Sequence, residues 1–178
     1  MKFFKTPIEG LLTVEPDVFS DSRGSFFESF TAREFAKHAV DLPFVQDNQS
    51  HSSKNVLRGL HFQRPPYEQG KLVRVVKGAV WDVAVDIRPG SDTFGTYFAD
   101  ELSAANRRML WIPPGFAHGF LTLEDDTVFI YKCTGYYNKE SESGIRYDDP
   151  ALRIPWNVDN PLVSDKDGRL PYLHEIKF

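Results

Sequence analysis

The chain has 178 residues, 41% hydrophobic and 26% charged, with a formal net charge of −4, which suits one domain with a proper core and excludes a disordered tail or a mini-protein. The acidic balance excludes a basic footprint for nucleic acid, and no apolar stretch approaches the roughly 20 residues of a membrane-spanning helix. One cysteine, Cys133, forbids an internal disulfide, and Met1-Lys2-Phe3-Phe4-Lys5-Thr6-Pro7 carries charge and proline where a signal peptide needs an apolar run, so a reducing, cytoplasmic setting is expected.

Aromatic residues are 14% of the chain, and its 12 Gly and 12 Pro are spread along it rather than clustered. Frequent turns with β-formers between them predict an all-β domain. From the N-terminus, strands are expected over 11–15 and 26–30. Thr31-Ala32-Arg33-Glu34 then has the capping-box pattern, and Phe35, Ala36 and Ala39 give the apolar stripe of a short peripheral helix of about two turns. A period of two follows in 57–62 and again in 71–77, where Lys71, Val73, Val75 and Lys77 share one face and Leu72, Arg74 and Val76 the other. In 80–87, Val80, Asp82, Ala84 and Asp86 oppose Trp81, Val83, Val85 and Ile87, and the break at Lys77-Gly78 predicts that the two runs pair as an antiparallel hairpin. Further strands are expected over 97–102, 108–112, 119–123 and 127–134, at the short spacing of a sandwich or barrel and without the helices that a βαβ fold demands. From Asn138 onward Pro150, Pro155, Pro161 and Pro171 interrupt a polar stretch too short for a second domain. An irregular C-terminal segment is therefore expected to wrap the β core of one domain spanning 1–178.

Two histidines stand in apolar β surroundings: His61 in Leu57-Arg58-Gly59-Leu60-His61-Phe62-Gln63, and His118 in Ile112-Pro113-Pro114-Gly115-Phe116-Ala117-His118-Gly119-Phe120. Each alone reads as a hydrogen-bonded core histidine. His61 is followed by Phe62-Gln63, with no His-x-His pair and no glutamate before Glu68, so no metal is expected. No phosphate-cradling glycine loop opens a helix, which removes nucleotide-dependent redox and ATP chemistry. Cys133 shares strand parity with Tyr131 and reads as a small core residue. A base, an acid and cations without a metal remain, the set that abstracts a proton beside a carbonyl. A His takes the carbon-bound proton, a Lys or Arg stabilises the enolate oxygen, and a Tyr returns a proton on the other face. His61, Lys71 and Tyr131 supply the types, with Asp165 and Asp167 both candidates for the carboxylate that orients the imidazole.

Several long motifs in fixed order then make the chain resemble the dTDP-4-dehydrorhamnose 3,5-epimerases over nearly its whole length. They are Asp21-Ser22-Arg23-Gly24-Ser25-Phe26-Phe27-Glu28, Gln46-Asp47-Asn48, 56–63, Gln69-Gly70-Lys71-Leu72-Val73-Arg74, Asp82-Val83-Ala84-Val85-Asp86, 111–120 and Ser164-Asp165-Lys166-Asp167. The resemblance implies a cupin-type jelly-roll β-sandwich without metal or cofactor, forming a homodimer whose subunits exchange N-terminal strands. It also implies inversion of C3 and C5 of dTDP-4-dehydro-6-deoxy-D-glucose. Carried onto this sequence, it makes His61 the base, Asp167 its orienting partner, Lys71 the stabiliser of the C4 enolate oxygen and Tyr131 the proton donor. Arg23, Gln46, Asn48, Arg58, His118 and Lys166 are implied around the nucleotide-sugar, with Phe26 and Glu28 near the nucleoside.

A diphosphate carries negative charge, and an acidic protein must gather cations such as Arg23, Arg58 and Lys166 locally to hold it. Strict alternation points Arg58 and His61 to opposite faces, and Gly59 is the natural place for a bulge that re-aims one of them. Phe62 stands where the family commonly has Tyr, and Arg146-Tyr147 where Trp is usual. Related branches that epimerise only C3 or only C5 share most of these motifs. A 3,4-ketoisomerase on the same barrel and a non-catalytic sugar-nucleotide binding module are the other readings. Both Tyr131 and Asp167 being present favours the epimerase over the ketoisomerase, and a binding module needs neither base nor acid.

Overall fold

The computed structural model describes residues 1–177, and its frame is β-sheet. Strands β1 (Lys2–Lys5), β2 (Leu12–Glu15), β3 (Phe19–Asp21) and β4 (Gly24–Phe26) precede helix α1 (Ala32–Ala36). The central run is β5 (Gln46–Ser52), β6 (Val56–Gln63), β7 (Lys71–Lys77), β8 (Ala79–Asp86), β9 (Tyr97–Ser103), β10 (Met109–Ile112), β11 (Phe116–Thr122) and β12 (Thr127–Cys133). Two short strands, β13 (Glu142–Gly144) and β14 (Leu162–Val163), lie in the C-terminal segment. One sheet has the order β1-β2-β10-β7-β12-β5, the other β13-β6-β11-β8-β9 with β14 parallel to β6, and β3 and β4 form a ribbon of their own.

Alternation along the strands decides what each sheet buries. Val73 and Val75 of β7, Phe129 of β12, Val80 and Ala84 of β8 and Phe116 and Phe120 of β11 meet between the sheets. The opposite face of β8 and β11, with Val83, Val85 and Leu121, is covered by Ile145, Leu152, Trp156 and Ile176, so the proline-rich C-terminal segment does wrap the core. Each such side chain removed from water stabilises the fold by about 1.5–3 kcal/mol before entropy is counted. On the outer face of the first sheet, Leu72, Met109 and Trp111 pack beneath Phe35 of α1.

The faces of 71–77 and 80–87 are as expected, but their pairing is not. β7 bonds β10 and β12, while β8 bonds β11 and β9 in the other sheet. Lys77-Gly78 is thus a corner between sheets rather than a hairpin turn. Gly78 has φ +78°, and a Cβ there would meet Thr127 Oγ1 at 2.2 Å, so the corner closes only on glycine. The strand expected over 26–30 ends at Phe26, because Phe30 turns inward against Phe35 and Phe44, with ring centroids 5.0 Å from each. Helix α1 is shorter than two turns, and its capping box does not form: Thr31 makes no side-chain cap bond and the Glu34 carboxylate accepts instead from Lys37 Nζ at 2.9 Å. Strand β5 has no counterpart among the expected strands.

Candidate active site

An open cavity of about 640 Å³ is lined by residues of both sheets, from β5, β6, β7, β11 and β12, and by the segment 162–167. Glycine sets its back wall. Gly59 has φ +132°, and a Cβ there would lie 2.5 Å from Gly119 Cα across the β6–β11 pair, where the register shifts between His118 and Phe120. The two bare backbones touch and the strand bulges, which turns both Arg58 and His61 into the cavity. Arg58 donates to Ser52 Oγ from Nε at 3.3 Å and from Nη2 at 3.2 Å.

Of the two candidate carboxylates, Asp167 reaches the imidazole. It opens a 3-10 turn, Asp167–Arg169, and its Oδ1 lies 2.8 Å from His61 Nε2 while Oδ2 accepts the Gly59 N–H at 3.1 Å. Ser164 Oγ accepts the Asp167 N–H at 3.1 Å and fixes the turn. Asp165 is exposed and its nearest cation is Arg169 at 4.0 Å. Burial would push the Asp167 carboxyl up, but the hydrogen bonds from His61, Gly59 and Ser164 together outweigh it and hold the group below the ordinary carboxylate range. Because a carboxylate only accepts, His61 presents Nε2–H to Asp167 and keeps a lone pair on Nδ1.

Lys71 and Tyr131 enter from the facing sheet. Lys71 pairs with Cys133 and Tyr131 with Val73, which puts both side chains on the inner face, with Lys71 Nζ 5.8 Å from the Tyr131 ring centroid. Burial pushes the Lys71 ammonium down, opposed by Cys133 and Asp82. It pushes the Tyr131 phenol up, helped by Cys133 and opposed by Arg58. His118 sits opposite His61 in the ladder, and its Nε2 lies 3.1 and 3.0 Å from the Asp82 oxygens. Its burial lowers its pKa against the pull of that carboxylate.

Polar groups of β5 complete the inner face. Asn48 stands opposite Tyr131, accepts from Gln46 Nε2 at 3.0 Å and directs its own amide at Cys133 Sγ at 3.5 Å. At the rim, Lys166 Nζ lies 2.5 Å from Glu142 Oε1, and Glu142 Oε2 accepts from Tyr137 at 2.9 Å. Glu142, Tyr137, Asp82 and Ser164 were given no role by the sequence reading, although Asp82 and Ser164 stand in motifs it quoted and Asp82 has inward parity on β8.

Four expected residues do not line this cavity in one chain. Gln46 instead lines a smaller cavity that shares Asn48, His61, Lys71 and Tyr131 with it, while Arg23 folds back on Asp21, Phe26 is 70% exposed, and neither these nor Glu28 reaches the cavity. Arg23 and Phe26, with Phe19, instead line a shallow groove on the β3–β4 ribbon. Among the described residues no group of three or more His, Cys, Asp or Glu is arranged to hold a metal ion, and no helix is long and apolar enough to cross a membrane.

A model of the family described as dTDP-4-dehydrorhamnose 3,5-epimerase matches residues 5–175. The enzyme of that name from Shigella flexneri is 54% identical over 169 residues, covering 94% of this chain and 93% of the relative. Among solved structures, the dTDP-6-deoxy-D-glucose-3,5-epimerase RmlC of Legionella pneumophila in complex with dTDP-4-keto-L-rhamnose superposes with a TM-score of 0.95 at 47% identity, over 99% of this chain and 94% of that one. ChmJ, a 3'-monoepimerase from Streptomyces bikiniensis in complex with dTDP-quinovose, superposes with a TM-score of 0.89 at 35% identity, over 95% and 86% of the two chains.

Proposed function

The chain belongs to the dTDP-4-dehydrorhamnose 3,5-epimerase family, and from that premise we propose which of its residues carry the reaction and how a second copy completes the site. It is an enzyme of cupin-type fold that epimerises dTDP-4-dehydro-6-deoxy-D-glucose at C3 and C5. The observation that supports the residue roles is the convergence of the His61–Asp167 pair, Lys71 and Tyr131 on one cavity.

Each inversion follows the same sequence. His61 Nδ1 takes the proton from the carbon beside the C4 keto group, and the C–H electron pair moves onto the C4 oxygen as an enolate. Asp167 holds the imidazole and stabilises the imidazolium that forms. Lys71 donates to the enolate oxygen, where one such preorganised donor lowers the barrier by about 3–4 kcal/mol. The enolate then collapses back to the ketone as Tyr131 returns a proton to the opposite face of the carbon. A phenol whose pKa is raised by burial stays protonated and ready to donate. Before the next inversion His61, with its side chain 34% exposed, releases its proton to solvent, and the Tyr131 phenolate takes one back from solvent.

Arg58 and Lys166 hold the diphosphate, with Gln46, Asn48 and His118 around the nucleotide-sugar. Arg23, Phe26 and Glu28 reach this cavity from a second copy of the chain. The exposure of Phe19 and Phe26 on a ribbon detached from both sheets supports an exchanged N-terminal arm in a homodimer, as does the unpaired outer edge of β5 beside the cavity. The lone buried thiol of Cys133 suits a reducing cytoplasm.

The test is turnover of dTDP-4-dehydro-6-deoxy-D-glucose in deuterium oxide. Deuterium is expected at both C3 and C5. Label at C3 alone would move the protein to the monoepimerase type that ChmJ represents, and no label at either carbon would overturn proton abstraction altogether.

A further inference from the structure

Lys71 also stands in the wall of a cavity that the reaction above does not use. This cavity, of about 370 Å³, is lined where β6 and β8 end and where β7 and β11 begin. Lys71 is the one residue it shares with the cavity of about 640 Å³, and neither His61 nor Tyr131 lines it. The smaller cavity that holds His61, Tyr131 and Glu142 meets it at Phe62, Gln63, Gln69 and Lys71. Its walls are apolar: the buried side chains of Phe62, Ile87 and Phe116 line it, with Pro65 and Pro89 exposed beside them. Rings and aliphatic carbon around a space of this size favour a flat apolar occupant over water.

Charge then decides the sign of that occupant. The charged groups of the lining are Arg64, Glu68, Lys71, Arg88 and Lys177. Arg88 is cancelled, since it donates to Asp86 Oδ1 from Nε at 2.9 Å and to Oδ2 from Nη2 at 2.7 Å, and it lies over the Phe116 ring at 4.7 Å. Arg64, Lys71 and Lys177 remain against Glu68 alone. Lys71 forms no hydrogen bond or ion pair among the described residues and faces the Tyr131 ring at 5.8 Å. The carboxylates that line the other two cavities are already engaged, Asp167 by His61 and Glu142 by Lys166 and Tyr137. An apolar chamber with an unpaired amine in its wall and cations in excess is complementary to a ring that carries a negative charge.

We propose that this cavity binds a small aromatic anion, its ring against Phe62, Ile87 and Phe116 and its anionic group on Lys71, and that the bound anion inhibits the enzyme by withdrawing Lys71 from the enolate. The inhibition rests on the role given to Lys71 above; the binding does not, and it can be read without turnover.

The probe is 8-anilinonaphthalene-1-sulfonate, an aromatic anion whose emission rises when it leaves water. With dTDP saturating the nucleotide site, one saturable probe site per chain is expected. Pro89→Trp, at an exposed position of the lining, should fill the space and abolish that binding, and Glu68→Trp serves the same comparison if the first variant is not recovered folded. Arg64→Glu combined with Lys177→Glu should weaken binding by about tenfold or more. All of these variants are expected to keep the basal rate. In turnover, saturating probe should lower kcat towards the loss of about 10²–10³-fold that follows withdrawal of one oxyanion donor, while KM stays within about threefold. Displacement of the probe by dTDP, or inhibition that raises KM alone, would put the ring in the substrate cavity and overturn the proposal, as would undiminished binding to both tryptophan variants. Deuterium exchange without probe is read first: no exchange there fails the reaction itself, whereas normal exchange that bound probe does not slow fails this proposal alone.

Discussion

At the residue scale, the consequences centre on the pair His61 and Asp167, 2.8 Å apart. His61→Ala is expected to abolish deuterium exchange at both carbons in an NMR assay, and wild-type exchange would refute its role as base. Asp167→Asn loses the anion that fixes the tautomer and stabilises the imidazolium, so kcat should drop by about 10²–10⁴ with little change in KM. Tyr131→Phe should still exchange solvent hydrogen while failing to complete inversion, which separates donor from base in one experiment. The residue types for this chemistry were legible in the chain because apolar strands seldom carry an imidazole or an ammonium without a use. The choice of Asp167 over Asp165 was not. Two carboxylates on one exposed loop differ only in which of them the 3-10 turn directs inward, and the partner lies 106 residues away.

At the element scale, the contact of Gly59 with Gly119 aims the strand that carries the base. Gly59→Ala places a Cβ 2.5 Å from the Gly119 Cα and asks an L side chain to adopt φ +132°. A loss of about 3 kcal/mol in urea unfolding is expected, together with most of the activity. A variant of wild-type stability and rate would mean that the bulge is not needed. Gly59 was readable as a bulge because regular alternation sends Arg58 and His61 apart. Strand β5 was invisible for the opposite reason. Gln46, Asn48, Ser50 and Ser52 face Cys133, Tyr131, Phe129 and Thr127 while Asp47, Gln49 and His51 face away, so both faces are polar and no hydrophobic period exists. The Gly78 corner was misread because a glycine after a charged residue marks a reversal equally well whether the chain returns to the same sheet or crosses to the other.

At the scale of the whole molecule, charge and assembly give further expectations. Asp86 is fully buried and accepts from Arg88, Ser91 and Thr93. Burial alone would raise its pKa, but these bonds hold it far below the ordinary carboxylate range. Groups depressed in the folded state, Asp86 and Asp167 among them, stabilise fully above about pH 4 and lose that contribution as pH falls through their folded values. Urea midpoints should therefore hold steady from pH 8 to about 5 and fall below pH 4, with Asp86→Asn about 2–4 kcal/mol weaker at pH 7 and less sensitive to acid. An exchanged arm makes a sharper prediction. Refolding an equal mixture of inactive Arg23→Ala and His61→Ala chains should restore roughly a quarter of wild-type activity, because half the dimers then own one intact site of two. Without exchange no site holds both residues and none returns. The wrap of 138–177 over the second sheet has a temporal corollary. Asp167 is translated 106 residues after His61, roughly 5–20 s later at typical elongation rates. A nascent polypeptide from which the 138–177 segment has not yet emerged therefore has an unoriented imidazole and a greasy, uncovered sheet, and this enzyme orients its base and covers that sheet in one step.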